Sequence, residues 1–170
     1  MAIATQMTVE EYLRTSFRPD CEYVDGEVLE RNVGEQGHSE VQWRLIEFFI
    51  KNRGKWDVYP LQEWRFKLTD RHYRVPDFTI VAGRKPKEPV LVTRPLVCVE
   101  ILSPEDRMSR MQKKIADYLA HGVRYVWILN PETREAFAFT DEGMHEVKDV
   151  LRTENPAIEI PLTEIFESEA

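Results

Sequence analysis

The sequence predicts an α/β (α+β) domain with a central mixed β-sheet flanked by helices. Three observations predict it. Residues 95–130 read strand, helix, strand: the run Leu96-Val97-Cys98-Val99-Glu100-Ile101-Leu102, a helical stretch after Pro104, and the run Arg124-Tyr125-Val126-Trp127-Ile128-Leu129-Asn130. Two apolar runs joined through a helix imply neighbouring parallel strands with a right-handed crossover. Elsewhere, short segments of alternating polarity bracket turn signals, so antiparallel strands complete the sheet. At 170 residues, 42% hydrophobic and 31% charged, the chain suffices for one sizeable core. The domain is placed at residues 7–165, with terminal tails at 1–6 and 166–170.

Each element has its own signal. Thr8-Val9-Glu10-Glu11 is a capping box, so a short helix begins near residue 9 and runs to about Arg14. Asp25-Gly26, between the alternating flanks of residues 22–29, marks a hairpin. Ser39 is placed to cap the next helix, with Val41, Leu45, Phe48 and Phe49 on one face and Gly54 beyond its end. Residues 56–59 and 64–68 read as strands, with a turn at Asp70-Arg71. Residues 75–81 and 96–102 read as buried strands, separated by a Pro/Lys-rich loop. The helix after Pro104 runs for about fifteen residues to His121-Gly122, with Ser103 or Asp106 as its cap. Residues 124–130, 136–140 and 146–150 follow as strands, the last two joined by Asp141-Glu142-Gly143. The acidic stretch from Leu162 to Ala170 reads as a partly frayed tail.

Composition excludes several function classes. The net charge of −7 argues against a general nucleic-acid coat protein. It leaves room for an enzyme that meets phosphates locally, and bases do concentrate at 65–87 and 107–124. No segment approaches the roughly 20 apolar residues of a membrane span, and the first residues lack the pattern of a secretory signal. Two cysteines, Cys21 and Cys98, make no disulfide framework, so a reduced, cytoplasmic setting is expected. His72, His121 and His145 have no zinc-ligand spacing, and neither a glycine-rich phosphate loop nor a nucleophile elbow is present.

Two acids carry the functional signal. Glu100 interrupts an apolar strand, and Asp77 sits in a similar setting, Arg74-Val75-Pro76-Asp77-Phe78-Thr79-Ile80-Val81. A buried carboxylate loses hydration worth several kcal/mol unless it is paired or bound to metal. Two such acids on adjacent strands suggest a divalent-metal site; ion pairs with Arg74 or Arg65 for Asp77, and with Lys114 or Arg124 for Glu100, are the alternative. On the helix after Pro104, Met108, Met111, Ile115, Tyr118 and Leu119 form one stripe at ~100° per residue. Lys114 falls on the stripe's margin, where its ammonium can bend toward the end of the sheet, whereas Lys113 points to solvent.

Pro76-Asp77, then Glu100 with a helix after it, resembles the PD-(D/E)xK nuclease superfamily. More narrowly, residues 7–165 resemble the Uma-two family of restriction-endonuclease-like proteins. The resemblance rests on residues 22–27, on His38, and on Arg74-Val75-Pro76-Asp77. It also rests on Val99-Glu100-Ile101-Leu102-Ser103-Pro104, on Lys114 with Tyr118, and on Gly122-Val123 followed by residues 125–131. It implies a restriction-endonuclease-like core and a metal-dependent endonuclease that hydrolyses DNA phosphodiester bonds. Asp77, Glu100 and the carbonyl of Ile101 would hold Mg2+ or Mn2+, and Lys114 would orient or help deprotonate the attacking water. Leu102 stands where the superfamily pattern has lysine; the resemblance assigns that role to Lys114.

Glu22 matches the family's early glutamate, for a second metal or a water, against a hairpin salt bridge. His38, Gln62, Arg74 and Lys113 are the candidate substrate-binding residues, His38 and Gln62 against structural readings. The resemblance also implies a homodimer acting on DNA; with no apolar stretch of spanning length, no membrane partner is expected. The competing reading is a catalytically inactive nuclease fold serving as a binding or regulatory module, for which Leu102 is the best support. A weaker one is a hydrolase of some other phosphate compound.

Overall fold

A computed structural model describes residues 6–32 and 34–166. The chain runs α1 (Val9–Arg14), β1 (Glu22–Val24), β2 (Glu27–Leu29), α2 (Gln36–Lys51), β3 (Val58–Gln62), β4 (Phe66–Thr69), β5 (His72–Arg74) and β6 (Phe78–Ala82). It continues β7 (Val97–Ile101), α3 (Met108–Ala120), β8 (Tyr125–Asn130), β9 (Glu135–Thr140), β10 (Gly143–Val147), β11 (Val150–Arg152), β12 (Glu159–Pro161) and α4 (Leu162–Ile165). Six strands form the central sheet in the order β10-β9-β8-β7-β6-β3. Only β7 and β8 pair in parallel, with Glu100 opposite Ile128; the other neighbours are antiparallel, so the sheet is mixed. A four-stranded sheet, β2-β1-β5-β4, stands beside it.

Period-two alternation sorts the central strands between two helices. Val97, Val99 and Ile101 of β7, with Trp127 and Leu129 of β8, join Val41, Leu45, Phe48 and Phe49 of α2 in one core. Cys98, Val126 and Ile128 face the other way, against Met111, Ile115 and Tyr118 of α3. Glu100 alternates onto this α3 face. The apolar runs of β7 and β8 have no polar side because both faces are covered. Each large side chain buried there stabilises the fold by about 1.5–3 kcal/mol.

Several boundaries differ from the sequence expectation. Residues 75–81 are not one strand. β5 closes at Arg74 in the smaller sheet and β6 opens at Phe78 in the larger one. Pro76 has no N–H for a ladder, so the chain changes sheets there and Asp77 sits in the connection, not within a strand. The strand expected at 56–59 is Val58–Gln62, held in register by β6. Residues 146–150 split between β10 and β11. Helix α2 begins at Gln36, three residues before Ser39, and its N-cap Glu35 makes no side-chain cap bond. Helix α3 begins at Met108 with Arg107 as N-cap, and Ser103 and Asp106 bond to each other instead. Met108, expected in the α3 stripe, is 71% exposed. The capping box of Thr8 and Glu11 is present as expected.

The C-terminal stretch is packed where fraying was expected. Residues 162–165 form α4, and Ile165 and Phe166 enter the α2-side core. Of the expected tails, residues 1–5 and 167–170 lie outside the described residues. Ile165→Val should therefore lower stability by about 0.5–1.5 kcal/mol, read as a shift in urea midpoint. An unchanged midpoint would mean that the residue is not in the core. No helix among the described residues is long and apolar enough to cross a membrane.

Candidate active site

The site lies where β6 and β7 meet the N-terminal half of α3. Glu100 projects from β7 toward α3. Lys114 and Tyr118, four residues apart and so on one helix face, both reach it. Lys114 Nζ stands 3.1 Å from Glu100 Oε2, and the Tyr118 hydroxyl donates to Glu100 Oε1 at 2.6 Å. Lys114 Nζ also stands 3.1 Å from Glu22 Oε1. Glu22 is fully buried. Its Oε2 accepts from Arg74 Nη1 at 2.8 Å, and its Oε1 from the Val75 amide at 3.2 Å. Arg74 in turn donates to Asp117 Oδ2 through Nε and Nη2, at 2.9 and 2.7 Å.

Asp77 enters from the connection before β6. Its Oδ2 accepts from the Ile101 amide at 2.8 Å, which ties it to the end of β7. Its Oδ1 stands 2.5 Å from Arg31 Nη2 and 3.2 Å from His38 Nε2. Its main chain is also fixed: the Asp77 carbonyl accepts from Gln42 Nε2 at 2.9 Å and from the Glu63 amide at 3.3 Å. Arg31, His38, Asp77, Glu100, Ile101 and Lys114 line one cavity of about 30 Å³, close to one water's share of liquid volume. Gly34 is constrained here, because a Cβ on it would lie 2.9 Å from His38 Nδ1.

The charges are unequally balanced. Burial alone would push the Asp77 carboxyl up, but the His38 hydrogen bond and the Arg31 guanidinium outweigh it and hold its pKa at about 2. Burial likewise acts against the Glu22 carboxylate, and Lys114 and Arg74 pull it below its ordinary value. Glu100 goes the other way. Burial pushes it up, Lys114 offsets only part of that, and the like charges of Asp77 and Glu22 raise it further, to about 7. Burial disfavours the Lys114 ammonium, yet Glu100 and Glu22 more than compensate and push its pKa up to about 12. Lys114 is therefore a charged donor at neutral pH. In that state its nitrogen has no free lone pair. One carboxylate on the cavity wall is left short of positive charge.

Hard oxygen donors suit Mg2+ or Mn2+. Among the described residues no group of three or more His, Cys, Asp or Glu side chains forms a ready-made cage. Two carboxylates with water filling the other positions is a common way to hold Mg2+. Each carboxylate oxygen has two lone pairs. Asp77 Oδ2 spends one on Ile101, and Glu100 Oε2 spends one on Lys114. The donor set fits the ion.

Residues 9–167 match the Uma2 (Uma-two) family, described as "Putative restriction endonuclease". The chain belongs to this family. Among solved structures, the chain is similar to the crystal structure of a putative nuclease belonging to DUF820 from Anabaena variabilis. The two share 20% identity with a TM-score of 0.77, over 94% of this chain and 97% of that one. At that identity the likeness establishes the fold, which is restriction-endonuclease-like. No curated protein matches the chain.

Within this Uma2 chain the sequence-predicted residues divide into two sets. Asp77, Glu100, Ile101, Lys114 and His38 converge on the cavity. The others do not line it. Glu22 lies beneath Lys114 with both oxygens engaged, so it serves as the lysine's second acceptor. Arg74 is buried and committed to Glu22 and Asp117, which leaves it no free face for substrate. Gln62 is exposed at the end of β3; its neighbour Glu63 bonds to the Asp77 main chain, as Gln42 does. Lys113 is exposed and does not line the cavity. The bases expected at 65–87 are also partly consumed, with Arg65 on Asp20 and Lys67 on Asp70.

Arg31, Asn32, Gln42 and Asp106 were not among the predicted site residues. Asp106 Oδ1 accepts from Asn32 at 2.8 Å, linking the segment after β2 to the loop before α3. Gln42 gave a sequence signal, a lone polar residue beside Val41 on the apolar stripe of α2. Arg31 gave none.

Proposed function

We propose that this protein is a metal-dependent endonuclease that hydrolyses DNA phosphodiester bonds. One observation carries the reading. In a chain of this family, Asp77, Glu100 and the ammonium of Lys114 line a single cavity with the end of β7. Asp77, Glu100 and the Ile101 carbonyl would hold Mg2+ or Mn2+. Such an ion, when bound, polarises a phosphate oxygen and lowers the pKa of a bound water. The protein's own groups do the rest. Tyr118 and Lys114 fix the Glu100 carboxylate, and the Ile101 amide and Gln42 fix Asp77. Lys114 also faces the negative charge that grows on a phosphate in reaction. His38, beside Asp77 on the wall, is placed to meet substrate.

DNA contact would be local on so acidic a chain, and strongly salt-dependent. Arg107, Arg84, Lys85 and Lys87 are exposed and available to phosphates. A homodimer with two-fold symmetry would bring two cavities to the two strands. A cytoplasmic setting accords with two unpaired, buried cysteines.

Supercoiled plasmid should be nicked or linearised in Mg2+ or Mn2+, and Asp77→Ala should reduce the rate by about 100-fold or more. Cleavage that persists in both Asp77→Ala and Glu100→Gln would belong to a contaminant and overturn the reading. A second reading draws on one observation: Arg31 and Lys114 already pair with Asp77 and Glu100. On that reading the fold is an inactive binding module, and wild-type protein takes up neither ion in calorimetry.

A further inference from the structure

One contact at the cavity bears directly on cation binding. Arg31 Nη2 stands 2.5 Å from Asp77 Oδ1, and the Arg31 side chain is 7% exposed. A guanidinium in that position neutralises the carboxylate that a dication would need. Three features would let this contact exchange. Arg31 lies outside any helix or strand, in the segment between β2 and α2, so its side chain moves without dislocating an element. Its Nη1 already leans outward, 3.5 Å from Glu63 Oε1, and the Glu63 side chain is 44% exposed. Asp77 does not depend on Arg31 for its position, because Ile101, Gln42 and Glu63 hold it from other sides.

The other cations on the wall are less available. Lys114 is shared between Glu22 and Glu100, and Arg110 donates to the Glu30 carbonyl. A planar guanidinium fork on the cavity wall matches two phosphate oxygens at once.

We propose that Arg31 is an exchangeable counter-ion: it holds Asp77 until a dication enters, then releases it and clamps the substrate phosphate. This rests on the metal-dependent nuclease reading above. It deepens that reading by assigning a phosphate-binding residue and by making cation entry and substrate binding successive uses of one site. Dication and guanidinium compete for the charge of the same carboxylate, so removing one favours the other.

The test is Arg31→Gln, with Mn2+ as the calorimetric probe and supercoiled plasmid as substrate. Mn2+ should bind the variant about tenfold more tightly than wild type. At saturating Mn2+, KM for plasmid should rise about tenfold while kcat changes less. A purely structural arginine would weaken both interactions together. Should the variant be unfolded without cation, Mn2+ should refold it, as read by far-UV circular dichroism, because the ion replaces the missing charge on Asp77. Mn2+ affinity that is unchanged or weaker, tighter Mn2+ with unchanged KM, or a chain that stays unfolded in saturating Mn2+ each overturns the proposal. If wild type and variant both take up no Mn2+, the nuclease reading itself falls. If wild type binds Mn2+ and cleaves but the variant behaves identically, only the role of Arg31 falls.

Discussion

Glu100→Gln should abolish cleavage and, at neutral pH, strengthen the fold. Taking a negative oxygen from the donor set removes charge that a dication requires, so plasmid cleavage should fall by about 100-fold or more. Stability moves in the opposite direction because the Glu100 carboxylate is crowded. Its pKa in the folded chain is about 7, against an ordinary 4.5, through burial and the nearby charges of Asp77 and Glu22. Between those two values the folded state holds a proton that the unfolded chain gives up. Stability from this group is thus fully present below pH 4.5 and lost as pH rises through about 7. Glutamine has no such proton to lose. Wild type should therefore weaken relative to Glu100→Gln across that window, by on the order of 3 kcal/mol. Urea midpoints for both proteins from pH 5 to 8 measure it. Parallel curves would show that Lys114 and Tyr118 suffice to hold the carboxylate charged, and that no cation is needed to settle it. The same linkage makes Mn2+ uptake tighten with rising pH over this window, since binding must expel the proton.

The two acids were legible because each breaks a local rule. A charge within Leu96–Leu102 conflicts with burial on both faces, and such conflicts concentrate at functional positions. Lys114 was legible through helical period alone: the stripe of Met111, Ile115 and Tyr118 puts it on the margin, and the structure finds it buried there. Tyr118 reads as core from the same period, and it is core, but its hydroxyl also holds Glu100. Periodicity reports which way a side chain faces, not what its polar tip meets. Arg74 shows the same limit. Its place beside Pro76-Asp77 suggested substrate, and only the smaller sheet, which brings β1 next to β5, explains its commitment to Glu22. Arg31 was not legible, because it lies in an irregular segment with no period and reaches Asp77 across 46 residues. The three-residue strands β11 and β12 were missed for a related reason. Val150 to Arg152 and Glu159 to Pro161 are too short to alternate convincingly, and they pair because the C-terminal segment is drawn onto the core by Ile158, Ile160 and Ile165.

Lys114→Met should be the most destabilising single change in the site. The ammonium stands between Glu22 and Glu100, which are 0% and 2% exposed. Methionine fills much the same space but carries no charge, so two carboxylates are left facing each other in a buried pocket. Breaking a buried ion pair from one side costs about 3–5 kcal/mol, and cleavage should be lost as well. Acid should relieve the loss. Without the ammonium the Glu100 carboxyl rises further above its ordinary value, and Glu22 loses the largest charge that holds it below its own; a carboxyl that rises lends stability at low pH and withdraws it as pH rises. The gap between wild type and Lys114→Met should therefore narrow as pH falls from 8 toward 5. The double variant Lys114→Met/Glu22→Gln separates the lysine's two roles. It removes one of the stranded charges and restores hydrogen-bonding capacity beside Arg74, so most of the stability should return. Cleavage should not return, because no ammonium then faces the phosphate. Recovery of both in the double variant would show that Lys114 serves only to neutralise Glu22, and would remove it from the chemistry. Recovery of neither would place the damage in packing on α3 rather than in charge. The outcome expected from the geometry lies between these: an amine that keeps two buried acids tolerable in the resting protein and faces a phosphate in the working one.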